Sequence, residues 1–368
     1  MIRNLLLTAS VLALTGAVSM PAQAQSAAGA YLAGRHAAVR SDFAESAKYY
    51  GEALALDPKN PEFLESTVLA LLSLGNIERA LPLARVMAAS DQPGQIAYLV
   101  TTAGMAQEED YAGLIAQSAD EGGIGPWVDG LVKAWAQVGA GDMTAALAQF
   151  DALSTEAGMQ GFVMYHKALA LASVGDYEGA EAIFAANQSG SAGQTRRGVI
   201  ARVEILGQLG RNEQALALLT DSFGANSDPE LDDLVAALQG DGQVAFTQIP
   251  DAKAGIAEVF FTFAAVLRNE SAGDYYVLLY SRIARYLRPD HIDDLLLTAD
   301  LLENIGQYEL AIQELQDVPA DNPAYHAADL GRAAALRRSN KPEQAIEVLQ
   351  QLTRSHGTLP SVHSALGD

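Results

Sequence analysis

Histidine is the residue type whose spacing in this chain comes nearest to that of a metal-binding site. Three of the six histidines, His326, His356 and His363, fall close together near the C-terminus. Three imidazoles can ligate a zinc ion, but no cysteine and no ordered set of carboxylates joins them. None of the six histidines forms a His-Glu-x-x-His motif or a pair spaced by four residues. We interpret the three C-terminal histidines as exposed residues at helix starts and in a turn, and we expect no metal and no cofactor.

Other motifs that support catalysis are lacking or poorly placed. The chain has no cysteine and no Gly-x-Ser-x-Gly elbow. The glycine run at 122–125 follows a predicted helix instead of a strand, so it indicates a loop and no phosphate cradle. Arg282, Arg285 and Arg288 form a short basic ridge, which we interpret as a solvated face. Without a clustered polar constellation, the sequence predicts a protein that is not an enzyme.

The N-terminal residues are typical of a cleavable secretory signal. Arg3 provides a short basic lead, residues 5–18 are mostly apolar, and Ala22 and Ala24 frame a small-x-small cleavage site. A membrane anchor is the alternative, but the apolar run is shorter than the ~18–20 residues that span a bilayer. We expect residues 1–24 to be removed after Ala24. The remaining chain is then expected in the bacterial periplasm, without a membrane span.

Acidic side chains outnumber basic ones almost two to one. The chain has 23 Lys and Arg against 45 Asp and Glu, a formal net charge of −22. Binding of phosphate-rich nucleic acid needs the opposite excess, and an anionic membrane surface repels this charge. The composition therefore excludes nucleic acid as an expected partner and favours protein or peptide. The acidity also keeps a long chain soluble.

A pattern of small and bulky residues recurs along the chain with a period of about 34 residues. Residues 292–323 and 326–352 superimpose at this spacing, and their matching pairs are Ala299 and Ala333, Ala311 and Ala345, and Leu315 and Leu349. In the unit that begins at Ala27, the small residues are Gly34 and Ser46 and the bulky one is Tyr50. Small residues are needed where two helices of a unit cross. A glycine in the turn can adopt a left-handed conformation that ends the first helix.

This unit resembles the tetratricopeptide repeat, and the resemblance covers most of residues 27–359. It implies an all-α fold, a right-handed α–α superhelix, which is a tetratricopeptide-repeat solenoid of about nine repeats. We expect about six repeats in residues 25–229 and three in residues 258–359. Residues 230–257 are expected to be irregular, and residues 360–368 to begin an incomplete repeat.

Two features of this arrangement leave alternatives open. Residues 230–257 are either an eroded repeat that bends the superhelix, which we favour, or an inserted loop with a function of its own. The final helix predicted from Pro360 has no partner helix before Asp368. Because solenoids normally end in a capping element, we expect the array to continue in a longer parent protein.

In the family, the concave face of the first helix of each repeat binds partners. The resemblance places six apolar or aromatic candidates there, namely Tyr31, Leu69, Leu99, Trp135, Tyr165 and Leu169. Aromatic anchors in such a groove can hold an apolar helix or an extended peptide. Alternatively, the same side chains pack between neighbouring helices. Further along the chain the equivalent positions become charged, as at Asp300, Arg337 and Arg338.

These observations predict a non-catalytic scaffold of the bacterial periplasm that binds a protein or peptide in its concave groove. The alternative is the repeat portion of a larger envelope-assembly or export component, truncated at Asp368. Repeat architecture does not specify the partner, because one fold serves many unrelated interactions.

Overall fold

The computed structural model describes residues 26–117, 123–156, 158–186, 192–224, 229–240, 244–357 and 359–367. The predicted signal segment, 1–24, lies outside these ranges. Within them the regular elements are helices, which confirms the all-α fold class and the α–α superhelix. One short 3-10 turn, Ala192–Gln194, precedes the eleventh helix.

The first array consists of helices in consecutive pairs, each packed on the next. They are α1 (Ala27–Val39), α2 (Phe43–Leu56), α3 (Pro61–Ser73), α4 (Ile77–Ala88), α5 (Gln95–Gln107), α6 (Tyr111–Ala116), α7 (Pro126–Gly139), α8 (Met143–Leu153), α9 (Gln160–Ser173), α10 (Tyr177–Ala186), α11 (Arg196–Gln208) and α12 (Asn212–Phe223). A further helix, α13 (Pro229–Gln239), packs on α12.

The second array continues the pairwise packing after an irregular segment, residues 244–251. Its helices are α14 (Ala252–Asn269), α15 (Asp274–Leu287), α16 (Ile292–Asn304), α17 (Tyr308–Gln316), α18 (Tyr325–Arg338), α19 (Pro342–His356) and α20 (Pro360–Gly367). The helix α14 begins six residues before the repeat unit that the sequence pattern places at Glu258, and it is the longest of the described helices.

The turn between the two helices of a pair follows the sequence pattern. Left-handed backbone occurs there at five glycines, namely Gly75, Gly141, Gly175, Gly210 and Gly306, with φ between 69° and 87°. Aspartates then start several of the second helices, as where Asp42 accepts a hydrogen bond from the N–H of Glu45 at 3.1 Å. Such N-caps satisfy backbone donors that have no partner within the helix. The predicted role of the turn glycine is therefore confirmed.

The small residues of the pattern lie where paired helices cross. The hydroxyl of Ser46 donates to the carbonyl oxygen of Gly34 at 3.0 Å, which joins α2 to α1. A β-carbon on Gly34 would lie 2.6 Å from the ring of Tyr50. Such a distance is too short for a real contact, so the helices approach closely only because this position is glycine.

The chain then turns back onto its own first array. Residues 244–251 run along α11, where Glu204 accepts hydrogen bonds from the backbone N–H and the hydroxyl of Thr247, each at 2.8 Å. The helices α14 and α15 next pack against α3, α5, α7 and α9, the first helices of their pairs. This face of the first array is therefore covered by the protein itself.

Candidate functional site

A buried cluster of charged residues joins the two arrays at Arg197 of α11 and Glu258 of α14. The Nε of Arg197 donates to Oε1 and Oε2 of Glu258 at 2.9 and 2.8 Å. Its other nitrogens donate to Oδ2 of Asp293 at 3.0 Å and to the carbonyl oxygen of Gln248 at 3.2 Å. The guanidinium thus binds three separate segments of the second half of the chain at once.

Both oxygens of Glu258 accept additional hydrogen bonds. The hydroxyl of Tyr165 on α9 donates to Oε1 at 2.8 Å. The Nε2 of His291, which precedes α16, lies 3.3 Å from Oε2. The Nδ1 of His291 accepts from the backbone N–H of Asp294, so Nε2 carries the proton and donates to Glu258. The carboxylate is fully enclosed, with no solvent exposure of its side chain.

The environment of the cluster stabilises its charged forms. Burial alone would raise the pKa of Glu258, but the charge of Arg197 and the hydrogen bonds from His291 and Tyr165 hold that pKa well below its usual range. Burial and the neighbouring Glu258 raise the pKa of the Tyr165 hydroxyl well above its usual value. Burial, reinforced by the charge of Arg197, lowers the pKa of His291. The junction is therefore stabilised by the ionised pair of Arg197 and Glu258, with His291 neutral and the hydroxyl of Tyr165 protonated.

A second polar chain crosses the same junction beside the charged cluster. The indole Nε1 of Trp135 donates to Nδ1 of His166 at 3.2 Å, and Nε2 of His166 lies 3.1 Å from Oγ1 of Thr262. The hydroxyl of Thr262 donates onward to the carbonyl oxygen of Glu258 at 2.6 Å. Because an indole nitrogen only donates, His166 must be neutral here, and burial lowers its pKa to about 4.

A pocket of about 260 Å³ opens beside the charged cluster, where α9 and α11 meet α14 and α16. Its walls are mainly Phe162, Phe261, Ala265 and Val266. Tyr165, Arg197 and Glu258 line its polar side, where their charged and hydroxyl groups hydrogen-bond one another. The pocket therefore offers a mainly apolar space in which the ionised groups already have partners.

The structure separates the six residues predicted to form the groove. Four are buried, namely Leu99, Trp135, Tyr165 and Leu169. Tyr31 and Leu69 are partly exposed. The helix α14 covers Trp135 through Gly255 and covers Tyr165 through Glu258. Both aromatics therefore pack against α14, and a partner could reach them only if α14 left the groove.

The basic ridge at Arg282, Arg285 and Arg288 is not a solvated face, and that interpretation was wrong. Only 3% of the side chain of Arg282 is exposed; its Nε donates to the carbonyl oxygen of Ser73 on α3 at 3.1 Å. The guanidinium groups of Arg282 and Arg285 both pair with Glu314 on α17. The side chain of Arg288 is largely buried and donates to the carbonyl oxygen of Gln248. The ridge therefore ties α15 to both arrays.

The three C-terminal histidines do not come together at one point. The rings of His326 and His356 have centroids 5.7 Å apart, whereas Nε2 of His363 contacts the carbonyl oxygen of Gly357 at 2.7 Å. Among the described residues, no group of three or more His, Asp or Glu side chains is arranged to hold a metal ion. Over the same ranges, no helix combines the length and apolar character that crossing a membrane requires.

Sequence reasoning missed the residues that form the junction, namely Arg197, Glu258, His291, His166 and Thr262. Their side-chain partners lie in other repeats, at separations of 31 to 96 residues, and the pattern of small and bulky residues that defines a repeat does not include these positions. One local signal was available at Glu258. It stands inside an otherwise apolar stretch of α14 between Ile256 and Phe260, and a lone carboxylate among apolar residues indicates a buried pair.

The match to a family model agrees with the repeat architecture. Residues 31–94 and 296–364 match the family described as tetratricopeptide repeat. The chain is similar to three solved structures: the P58(IPK) TPR domain (14% identity, 93% of this chain and 96% of that one, TM-score 0.27), yeast Tom70 (14%, 93% and 88%, 0.27) and the APC/C hetero-tetramer Cut9-Hcn1 (11%, 92% and 88%, 0.29). A search of the curated proteins found no match.

Proposed function

Because the chain carries tetratricopeptide repeats in both arrays, we propose that it is an exported, non-catalytic scaffold that binds a partner polypeptide through its second array. Repeats of this kind present extended surfaces made of side chains from successive helices. The observation that carries the proposal is that α14 and α15 cover the face of the first array formed by α3, α5, α7 and α9, where the groove was expected. The partner is therefore assigned to the surface that remains open.

The second array offers such a surface on α16 and α18. The side chains of Asp300 and Arg338 are 47% and 54% exposed, and Arg337 beside them is also exposed. Their ion-pair partners are Arg268 for Asp300 and Glu303 for Arg338. Exposed ion pairs contribute little to folding stability. Arg268 and Asp300, both well exposed, can therefore exchange each other for charged groups of a bound polypeptide at small cost, whereas Arg338 pairs with the largely buried Glu303.

Site-specific photocrosslinking in intact cells tests this assignment. A photoreactive amino acid is placed at Arg337 on α18 and, as the matched control, at Glu347, an exposed position on α19. We expect irradiation to give one discrete adduct from position 337 and none from position 347, with the attached protein identified by mass spectrometry. Equal adducts at both positions, or no adduct at 337, would contradict a partner-binding face on the second array.

Export is supported by the composition of residues 1–24 and has its own test. N-terminal sequencing of the protein recovered from a cell-envelope fraction should begin at Gln25. An N-terminus at Met1 on protein found in the cytoplasmic fraction would reject export, without touching the proposal that the repeats bind a polypeptide.

A further inference from the structure

The pocket between the arrays is distinguished by where its surface comes from. Phe162 belongs to α9 of the first array, whereas Phe261, Ala265 and Val266 belong to α14 of the second. The pocket thus exists only because the two arrays are docked. Pockets at such junctions, with mainly apolar walls and a few polar groups, are where proteins most often bind small groups.

The charges of Arg197 and Glu258 beside the pocket already neutralise one another. Each nitrogen of Arg197 donates to an acceptor within the protein, and each oxygen of Glu258 accepts at least one hydrogen bond. An incoming charged group would have to break these bonds or remain unpaired, which is costly in an enclosed site. The pocket therefore selects for an uncharged, apolar group.

The size of the pocket further limits the kind of group that can bind in it. Its volume of about 260 Å³ falls just below the range of about 300–1,000 Å³ that drug-sized ligands occupy. One aromatic or long aliphatic side chain suits this space better than a larger molecule does. The walls suit an aromatic ring in particular, because Phe162 already makes edge contacts with His166 and Phe263, at centroid distances of 5.0 and 5.2 Å.

The pocket opens beside the proposed partner-binding face. Val266 and Asn269 lie at its mouth and are exposed. The adjacent Arg268 pairs with Asp300 of α16, so the mouth and the open face of the second array share the end of α14. A polypeptide lying on α16 can reach the pocket with one side chain.

We propose that this pocket receives one aromatic or long aliphatic side chain of the partner polypeptide, an inference that rests on the proposed function. The bound segment is expected to carry basic residues next to this anchor. The protein has a net charge of −22, which attracts a basic segment and repels an acidic one.

The test uses the full chain and a peptide probe, acetyl-Lys-Gly-Trp-Gly-Lys-amide, with 5-fluorotryptophan at its centre and detection by ¹⁹F NMR. Ala265→Phe fills the pocket, and Ala33→Phe is the control at a partly exposed alanine of α1. We expect saturable binding that is weakened at least about tenfold by Ala265→Phe and changed less than about twofold by Ala33→Phe. If Ala265→Phe binds the probe as tightly as the unchanged protein does, the proposal is overturned. A peptide with alanine at its centre carries no fluorine, so its binding is measured by competition against the fluorinated probe. Equal affinity of that peptide would also overturn the proposal.

A second pair of variants keeps the test decisive if Ala265→Phe disturbs folding. Val266→Lys puts a positive charge at the mouth, which repels the lysines of the probe, and Val86→Lys changes a similarly exposed valine on α4. Only Val266→Lys should weaken binding. If free 5-fluoroindole binds and the peptide does not, the ligand of the pocket is a small neutral aromatic molecule, and the proposed side-chain anchor is rejected. Crosslinks at position 337 with no probe binding would reject the pocket while leaving the scaffold function standing.

Discussion

At the scale of single residues, the close contacts of glycine explain positions that helix propensity would not predict. Gly255 stands inside α14, where glycine is usually unfavourable by about 1 kcal/mol relative to alanine. A β-carbon there would lie 2.2 Å from the indole ring of Trp135. The rigid indole ring is enclosed by its neighbours, with no exposed surface. The glycine is therefore required by the docking of α14, and no local pattern reveals that need.

This contact predicts opposite effects for two glycine substitutions within helices. Gly255→Ala should lower the free energy of unfolding by about 1–3 kcal/mol, because the added methyl group overpacks against Trp135. Gly51→Ala in α2, where a β-carbon meets no atom within 4 Å, should raise it by about 0.5–1 kcal/mol. Urea denaturation of both variants measures the difference. Stabilisation by Gly255→Ala would show that α14 does not press on Trp135.

His166 makes stability depend on pH with a definite sign. Its pKa is about 4 in the folded protein and about 6.5 when unfolded. The unfolded chain therefore binds the proton first, so this contribution is complete above about pH 6.5 and is lost as pH falls toward 4. The loss amounts to about 3 kcal/mol. His166→Asn, which keeps an acceptor for Trp135 but does not titrate, should have a shallower decline of unfolding free energy between pH 7 and 4. Parallel curves for the two proteins would contradict this role.

At the scale of elements, the period of the sequence pattern predicted the helix pairs because the contacts within a pair are local. The crossing of α1 and α2 depends on Gly34 and Ser46, which are twelve positions apart. Their spacing is visible in any one repeat. The docking of α14 depends instead on Trp135, Tyr165 and Arg197, which belong to three different repeats. Such partners share no spacing with α14, so the sequence pattern is silent about them.

The two tryptophans of the chain provide a direct test of this docking. Trp135→Ala should lower the free energy of unfolding by about 3–5 kcal/mol, because it leaves a cavity and an unpaired His166. Trp127, which is 43% exposed at the start of α7, serves as the control, and Trp127→Ala should change stability by less than about 1 kcal/mol. Comparable losses for both variants would exclude a special role for the contact between α7 and α14.

At the scale of the whole molecule, the two arrays are expected to unfold together. Large hydrophobic surfaces and the pair of Arg197 with Glu258 join them, and breaking a buried ion pair costs about 3–5 kcal/mol because one charge stays buried without its partner. We expect Glu258→Gln to advance amide hydrogen exchange in α14 and α15 ahead of α2 and α4. Uniform exchange across both arrays in this variant would indicate that the apolar contacts alone couple them. A milder control is Glu347→Gln on the exposed face of α19.

The amino-acid sequence alone predicted the helices and their pairing and indicated a repeat of the tetratricopeptide type, because these follow from contacts between residues close together in the chain. It also placed the turn glycines and the small residues at helix crossings. That α14 and α15 fill the groove of the first array, and that a pocket opens where the two arrays meet, is apparent only in the folded protein. Both depend on contacts across many tens of residues, such as Tyr165 with Glu258. An amphipathic pattern shows that a helix buries a face, but not which surface covers it.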